Sequence, residues 1–302
     1  MKQSISLVLS SGGARGVAHI GVIEELERQG FEIKSIAGAS IGAVVGGIYA
    51  SGNLNVFRDW ICTLDKVAVF NLMDFTLSTN GLLKGNKVIW KLKKMIPDIN
   101  IEDLSIPFTA VATDVKGRKE VVFEKGDLFE AIRASISMPT FLTPVKRDEM
   151  LLIDGGILNP LPINKVKRSN NDLLIAVDVN GPVLKEDLSI NDNLINQEDK
   201  ELSYFSFIQN KLYAFLPKIK GYQFNYYTLL TRSIGLMVQQ ISSMTLAHYP
   251  PDIFIQIPIN SYGAFHFYKS DKIIKSGEIA TRMALSEFQH SNKNHLPGGD
   301  DI

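Results

Sequence analysis

Apolar residues along this chain fall into two rhythms. Short, mainly apolar runs at Ile5 to Leu9, Ile33 to Ala37 and Leu173 to Val179 predict buried strands. Between them the apolar positions recur at helical spacing. Val17, Ile20, Ile23 and Leu26 predict a helix over Val17 to Gln29, stopped by Gly30. Ala43 to Ala50 reads as a tight helix of small residues, and Asn53 to Leu64 as a helix capped by Asn53. Asn86 to Met95 is amphipathic, with Lys87, Lys91, Lys93 and Lys94 on a face that reads as solvated; Pro97 breaks it. Further on, the pattern gives strands at Ile106 to Asp114 and Lys119 to Phe123, a helix over Asp127 to Ser135, and a short strand, Met150 to Ile153, that delivers Asp154 at its end. A long helix (Leu229 to Ala247), a last strand (Asp252 to Ile259) and a closing helix (Ser270 to Phe288) complete the series. Strands alternating with helices predict an α/β protein, a three-layer α/β/α arrangement around a mostly parallel sheet.

Composition changes this picture in one place. From Gly181 to about Leu202 the chain turns to Asn, Asp, Glu and Lys. It then becomes aromatic from Tyr204 to Tyr227, with Lys211, Lys218 and Lys220 interleaved. The stretch at about 182–227 reads as an insertion into one domain spanning 1–289, followed by a polar, disordered tail over 290–302. Aromatic residues interleaved with lysines suit a membrane interface or a cover over an acyl-chain site; packing on the parent domain or on a partner subunit is the plainer reading. The remainder is ordinary for a globular chain, at 302 residues, 45% apolar and 21% charged. The formal net charge is zero, so no global field favours nucleic acid, and no nucleic-acid partner is expected. One cysteine, Cys62, excludes an internal disulfide framework and reads as a buried thiol. The first residues lack a signal-peptide core, and no window approaches the ~20 apolar residues of a membrane span. A cytoplasmic protein is the expectation, with peripheral membrane contact as its closest approach to a bilayer. No cluster of His, Cys and carboxylates resembles a ligand set, so neither metal nor other cofactor is expected.

Three stretches carry chemistry. Gly38-Ala39-Ser40-Ile41-Gly42 joins a strand to a helix, the context in which G-x-S-x-G becomes a nucleophile elbow. Ser10-Ser11-Gly12-Gly13-Ala14-Arg15-Gly16 also joins a strand to a helix N-terminus, where free amides attract negative charge. That loop suits either a nucleotide phosphate or the oxyanion of an acyl-transfer transition state. Its spacing matches neither the P-loop nor the dinucleotide fingerprint, and a serine elbow follows it, which favours the oxyanion. Asp154-Gly155-Gly156 is the third stretch. Taken alone it reads as a turn; in an open α/β sheet it would join the other two at the carboxyl ends of the strands. His19, one turn into the first helix, reads as a packing residue.

In this order and at these spacings the three motifs resemble the patatin-like phospholipase family in its bacterial form. Arg133 to Phe141 also resembles the family's loop before the aspartate strand, and only about Pro182 to Asn225 does not align. The resemblance implies a patatin-like fold and a serine acyl hydrolase acting on phospholipids or related lipids. Ser40 would be the nucleophile and Asp154 its base, with Gly12, Gly13, Ala14 and Arg15 at the oxyanion hole. The family usually has glycine where Ser11 stands, which leaves the identity of the oxyanion donors open. A carboxylate is a weak base near neutral pH, so Asp154 would need a dry setting that raises its pKa, or very good geometry. Three other readings stand beside this one, the third being a phosphate-binding protein that uses the glycine loop. A Ser-His-Asp esterase is compatible with chain order, since His248 and His266 both follow Asp154. A non-catalytic lipid-binding or regulatory protein on the same fold is the second.

Overall fold

Alternation along the central strands sorts their side chains onto two faces of one sheet. Strand β1 (Gln3–Leu9) sends Ile5, Leu7 and Leu9 to one side and Val8 to the other. Strand β7 (Leu173–Gly181) does the same with Ile175, Val177 and Val179 against Leu174 and Ala176. The first face carries the larger core; the second is thinner and is covered in part by Leu161, Ile163 and Leu246. These observations come from a computed structural model, which describes residues 2–74, 83–139, 141–183 and 226–294. The aromatic stretch expected to form an insertion lies almost wholly outside the described residues, as does the end of the tail.

The architecture is the expected three-layer α/β/α, with an eight-stranded sheet. Its centre is parallel and runs β3-β2-β1-β7-β8, with β2 at Phe31–Ala39, β3 at Phe108–Asp114 and β8 at Ile253–Pro258. Helix α1 (Ala18–Arg28) links β1 to β2, and α2 (Ile41–Ala50) follows β2 directly. Helices α3 (Leu54–Cys62), α4 (Lys66–Leu72), α5 (Asn86–Met95) and α6 (Leu128–Ser135) come next in the chain. Helix α7 (Tyr226–His248) precedes β8, and α8 (Ser270–Asn294) closes the chain, running beyond its expected end.

Helices α1 and α8 pack at unusually short range because each presents a glycine to the other's backbone. A methyl group on Gly21 would fall 2.0 Å from the Ile274 carbonyl oxygen, and one on Gly277 would fall 2.1 Å from that of Ala18. Glu25 is buried beside this contact, ion-paired with Arg28 and with Arg282 of α8.

Two local expectations need correction. Asn53 stands at the N-cap of α3, but its side chain makes no cap bond; its amide nitrogen donates to the Ser51 carbonyl at 2.7 Å. The strand carrying Asp154, β6 (Met150–Asp154), is antiparallel to β3, so its carboxyl end does not point the way the parallel strands do.

The registers explain how Asp154 nevertheless reaches the right place. Strand β4 (Lys119–Phe123) pairs with residues 110–114 of β3. Strand β2 pairs with 108–111, and β6 with 112–114. A strand has two edges, so β2 and β6 must share the edge opposite β4, where they meet end to end. Ala39 lies opposite Val111 and Asp154 opposite Ala112. Asp154 therefore fills the register slot that Ser40 would occupy if β2 continued, and the chain turns away at Ser40.

That turn depends on close approach. A methyl group on Gly38 would lie 2.4 Å from the Gly42 carbonyl oxygen, and one on Gly42 would lie 2.2 Å from the Leu9 oxygen. Both contacts are to backbone, which cannot swing aside. Gly42→Ala is therefore expected to lose on the order of 3 kcal/mol of unfolding free energy in urea titration, or to leave the chain insoluble.

Candidate active site

Ser40 sits between β2 and α2 with φ 52° and ψ −121°, a strained conformation for a residue with a side chain. Its backbone N–H donates to Ser135 Oγ at 2.9 Å, and its own hydroxyl donates to Asp154 Oδ2 at 2.6 Å. The second carboxylate oxygen, Oδ1, accepts the Gly156 N–H at 2.7 Å. Asp154 is fully buried, and its backbone N–H donates to the Ser137 carbonyl at 3.0 Å. The end of α6 thus holds both partners, through a serine hydroxyl on one side and a carbonyl two residues later on the other. Arg133 steadies this turn, with Nη1 donating to Ser137 Oγ at 2.6 Å and Nη2 to the Thr143 carbonyl at 2.9 Å.

Burial pushes the Asp154 carboxyl up to about 6, and the hydrogen bonds from Ser40 and Gly156 offset part of that rise. A carboxylate in this setting is a far better base than an ordinary aspartate. It remains ionised above pH 6 and receives a hydroxyl whose proton it is placed to take.

The glycine-rich loop follows β1 and folds as a 3₁₀ turn over Gly13–Val17 before α1 begins. The four residues expected to supply oxyanion donors do not contribute alike. The Ala14 N–H is already taken, donating to the Ala264 carbonyl at 2.9 Å. The Arg15 guanidinium is a clamp: it donates to the carbonyls of Val179 at 3.0 Å and Tyr262 at 3.2 Å, and to Asn180 Oδ1 at 3.0 Å. The N–H groups of Gly12 and Gly13 have no acceptor among the described residues. Ser11, the departure from the family pattern, donates its amide to the Pro160 carbonyl at 2.9 Å. The loop abuts the elbow, since Gly42 lies against the Leu9 and Ser10 carbonyls.

Sequence reasoning missed two features. Ser135 is fully buried and accepts the elbow amide, yet a serine at the end of a helix carries no signal of that role. The Ile41 N–H, at the first position of α2, also has no acceptor among the described residues and follows the hydroxyl-bearing residue directly.

The histidines stand elsewhere. His19 is fully buried; desolvation lowers its pKa to about 4, and the neutral ring donates from Nε2 to the Ser10 carbonyl at 3.0 Å. It packs as expected and supports the base of the glycine loop. His266 Nδ1 accepts the Gly263 N–H at 3.1 Å, and the His248 ring meets Tyr249 edge-on at 4.6 Å. The direct bond from Ser40 to Asp154 leaves no space for an imidazole between them.

A family model for patatin-like phospholipases matches residues 7–166, a span that runs from β1 past Asp154. The chain belongs to the patatin-like phospholipase family. An uncharacterized NTE family protein of Mycobacterium tuberculosis is 31% identical to it over 331 residues, covering 94% of this chain and 92% of that one. Lysophospholipase NTE1 of Candida glabrata is 28% identical over 314 residues, covering 99% of this chain and 17% of that much longer protein. Among solved structures, VipD from Legionella pneumophila overlaps 95% of this chain and 67% of its own with a TM-score of 0.45 at 14% identity. As a patatin-like phospholipase family member the chain is a lipid acyl hydrolase.

Two expectations follow from the geometry of this patatin-like site. Ser135→Ala removes the acceptor of the elbow amide from a dry site. Ester hydrolysis is expected to fall roughly ten- to hundredfold in kcat with KM little changed, while circular dichroism stays native. Asp154 should also weigh on stability. An unfolded aspartate loses its proton near pH 4 and the folded one near 6, so stability declines as pH rises through that window and stays lower above it. The decline is on the order of 2–3 kcal/mol for a shift of this size. Asp154→Asn is therefore expected to be more resistant to urea than the parent at pH 8, with the difference vanishing at pH 4.

Proposed function

We propose that Ser40 is the nucleophile and Asp154 the general base of a two-residue hydrolase that cleaves acyl esters of phospholipids or related lipids. The observation that carries the proposal is the 2.6 Å hydrogen bond from the Ser40 hydroxyl to a buried carboxylate whose pKa stands near 6. Asp154 takes the hydroxyl proton as Oγ attacks the ester carbonyl. The tetrahedral oxyanion forms beside the N–H groups of Gly12 and Gly13 and of Ile41, with the N-terminal end of α2 adding its positive dipole. Collapse expels the alcohol, which leaves with the proton held by Asp154. Water then gives its proton to the same carboxylate and attacks the acyl-serine; the fatty acid is released as Ser40 Oγ leaves and takes that proton back from Asp154. Ala14 and Arg15 act in this scheme as supports of the loop, through the Ala264, Val179 and Tyr262 carbonyls. The names of the fungal relatives, lysophospholipases, support a phospholipid-derived ester as substrate. We place the whole catalytic unit within 1–289, with the aromatic stretch as a segment inserted into it.

Hydrolysis of p-nitrophenyl acyl esters tests the assignment. Ser40→Ala and Asp154→Asn are each expected to lose at least roughly a thousandfold in kcat/KM. His248→Ala combined with His266→Ala is expected to stay within a few-fold of the parent. The pH profile should show one acid limb with its midpoint near 6, because the base works only when deprotonated. Loss of activity with the histidines would move the protein to the Ser-His-Asp class. A folded chain with no turnover would favour a lipid-binding role.

A further inference from the structure

Helix α5 carries charge that the fold does not neutralise. Lys93 is paired with Asp98 at 2.9 Å and lies 3.4 Å from Asp127. Lys84, Lys87, Lys91 and Lys94 have no carboxylate partner among the described residues. At 100° per residue, Lys87, Trp90, Lys91 and Lys94 fall within an arc of about 100°. Trp90 stands in that arc 58% exposed, with Lys94 Nζ 3.6 Å from its ring centroid. Across residues 65–98 six lysines face three aspartates, a net charge of +3 in a chain whose total is zero. All three aspartates are occupied: Asp65 accepts the Ala68 N–H at the start of α4, Asp74 accepts the N–H groups of Gly85 and Asn86, and Asp98 holds Lys93.

The neighbouring helix extends the face. Lys87 Nζ donates to the Asn71 carbonyl of α4 at 3.0 Å, which joins the two helices. One turn along α4, Val67 is 65% exposed. The face is tied to the neighbourhood of the dyad. Leu83 exchanges backbone bonds with Phe141 at 2.8 Å and Thr143 at 2.9 Å, just beyond the turn that holds Ser40 and Asp154. The Phe141 ring lies 4.8 Å from that of Phe265, whose neighbour Ala264 accepts the Ala14 N–H. A merely solvated lysine face has no need of an exposed tryptophan in its arc.

We infer that the α4–α5 face docks the protein on anionic phospholipid membranes. The lysines engage lipid phosphates, and Trp90 and Val67 enter the interfacial layer. Unpaired cations call for an anionic partner. Exposed apolar and indole groups beside them favour a lipid surface over a nucleic acid, which offers phosphates without an apolar layer. The choice of lipid as partner rests on the acyl-hydrolase reading; the charge and exposure of the face do not.

The test uses the full chain and two vesicle preparations, phosphatidylcholine alone and phosphatidylcholine with phosphatidylglycerol. Co-sedimentation is expected with the anionic vesicles and is expected to weaken as salt is raised. Replacing Lys87, Lys91 and Lys94 together by Gln is expected to weaken binding on the order of a hundredfold. The same variant should hydrolyse soluble p-nitrophenyl butyrate at the parent rate, so loss of docking and loss of the dyad are read separately. In a Trp60→Phe chain, Trp90 is the one remaining tryptophan, and its emission should move to shorter wavelength on anionic vesicles. Equal binding to both vesicle types, or undiminished binding by the triple variant, would overturn the inference. Binding to a DNA duplex as tight as to anionic vesicles, without an emission shift, would give the face to nucleic acid instead.

Discussion

The register slot opposite Ala112 holds one residue, and in this fold it holds Asp154. Most of what is distinctive about the site follows from that occupancy. Strand β2 cannot continue past Ala39, so Ser40 leaves the sheet with a positive φ. Backbone strain of this kind costs on the order of 1–3 kcal/mol and persists where the surroundings over-determine it. Here Gly38 and Gly42 allow the helix to lie back on its own strand, and Ser135 supplies an acceptor for an amide that no strand can pair. The same end-to-end junction buries a carboxylate and gives it a single hydroxyl as neighbour on one oxygen and a single amide on the other. Strain and desolvation, both unfavourable, are concentrated within a few ångströms and offset by the apolar core around them.

Around this junction nearly every backbone amide has a definite role. Ser10, Ser11 and Ala14 donate to carbonyls from distant parts of the chain, and Asp154 to Ser137. Gly12, Gly13 and Ile41 stand out because they do not. In the proposed mechanism these open donors, next to the N-terminal end of α2, meet the developing negative charge without rearrangement.

Much of this was legible in the sequence. Glycines two residues either side of Ser40 encode the tight return of the helix, and mainly apolar runs encode β1, β2 and β7 as interior strands. Strand direction was not legible at β6, because a short apolar run reads the same in either sense; only pairing decides it. Donor availability in the glycine loop was also hidden. Whether the Ala14 amide is free depends on Ala264, 250 positions away, and local pattern carries no information at that range. Ser135 escaped for a related reason: its hydroxyl is defined by what it meets across the helix end, not by its neighbours in sequence. Asn53 shows the converse, a residue with the right cap chemistry whose side chain found a different partner.

The Arg15 clamp bears on the order in which the protein is made. The serine elbow and the glycine loop belong to the first fifty residues, yet the loop is held by Val179, Asn180, Tyr262 and Ala264. A nascent chain emerging from the ribosome therefore carries its strained serine long before the contacts that shape the loop have been synthesised. Closing so distant a contact comes late in folding, since its entropy must be met before the contact rewards it. In the proposed mechanism, the loop's part in stabilising an oxyanion therefore waits until Tyr262 and Ala264, beyond β8, are in place.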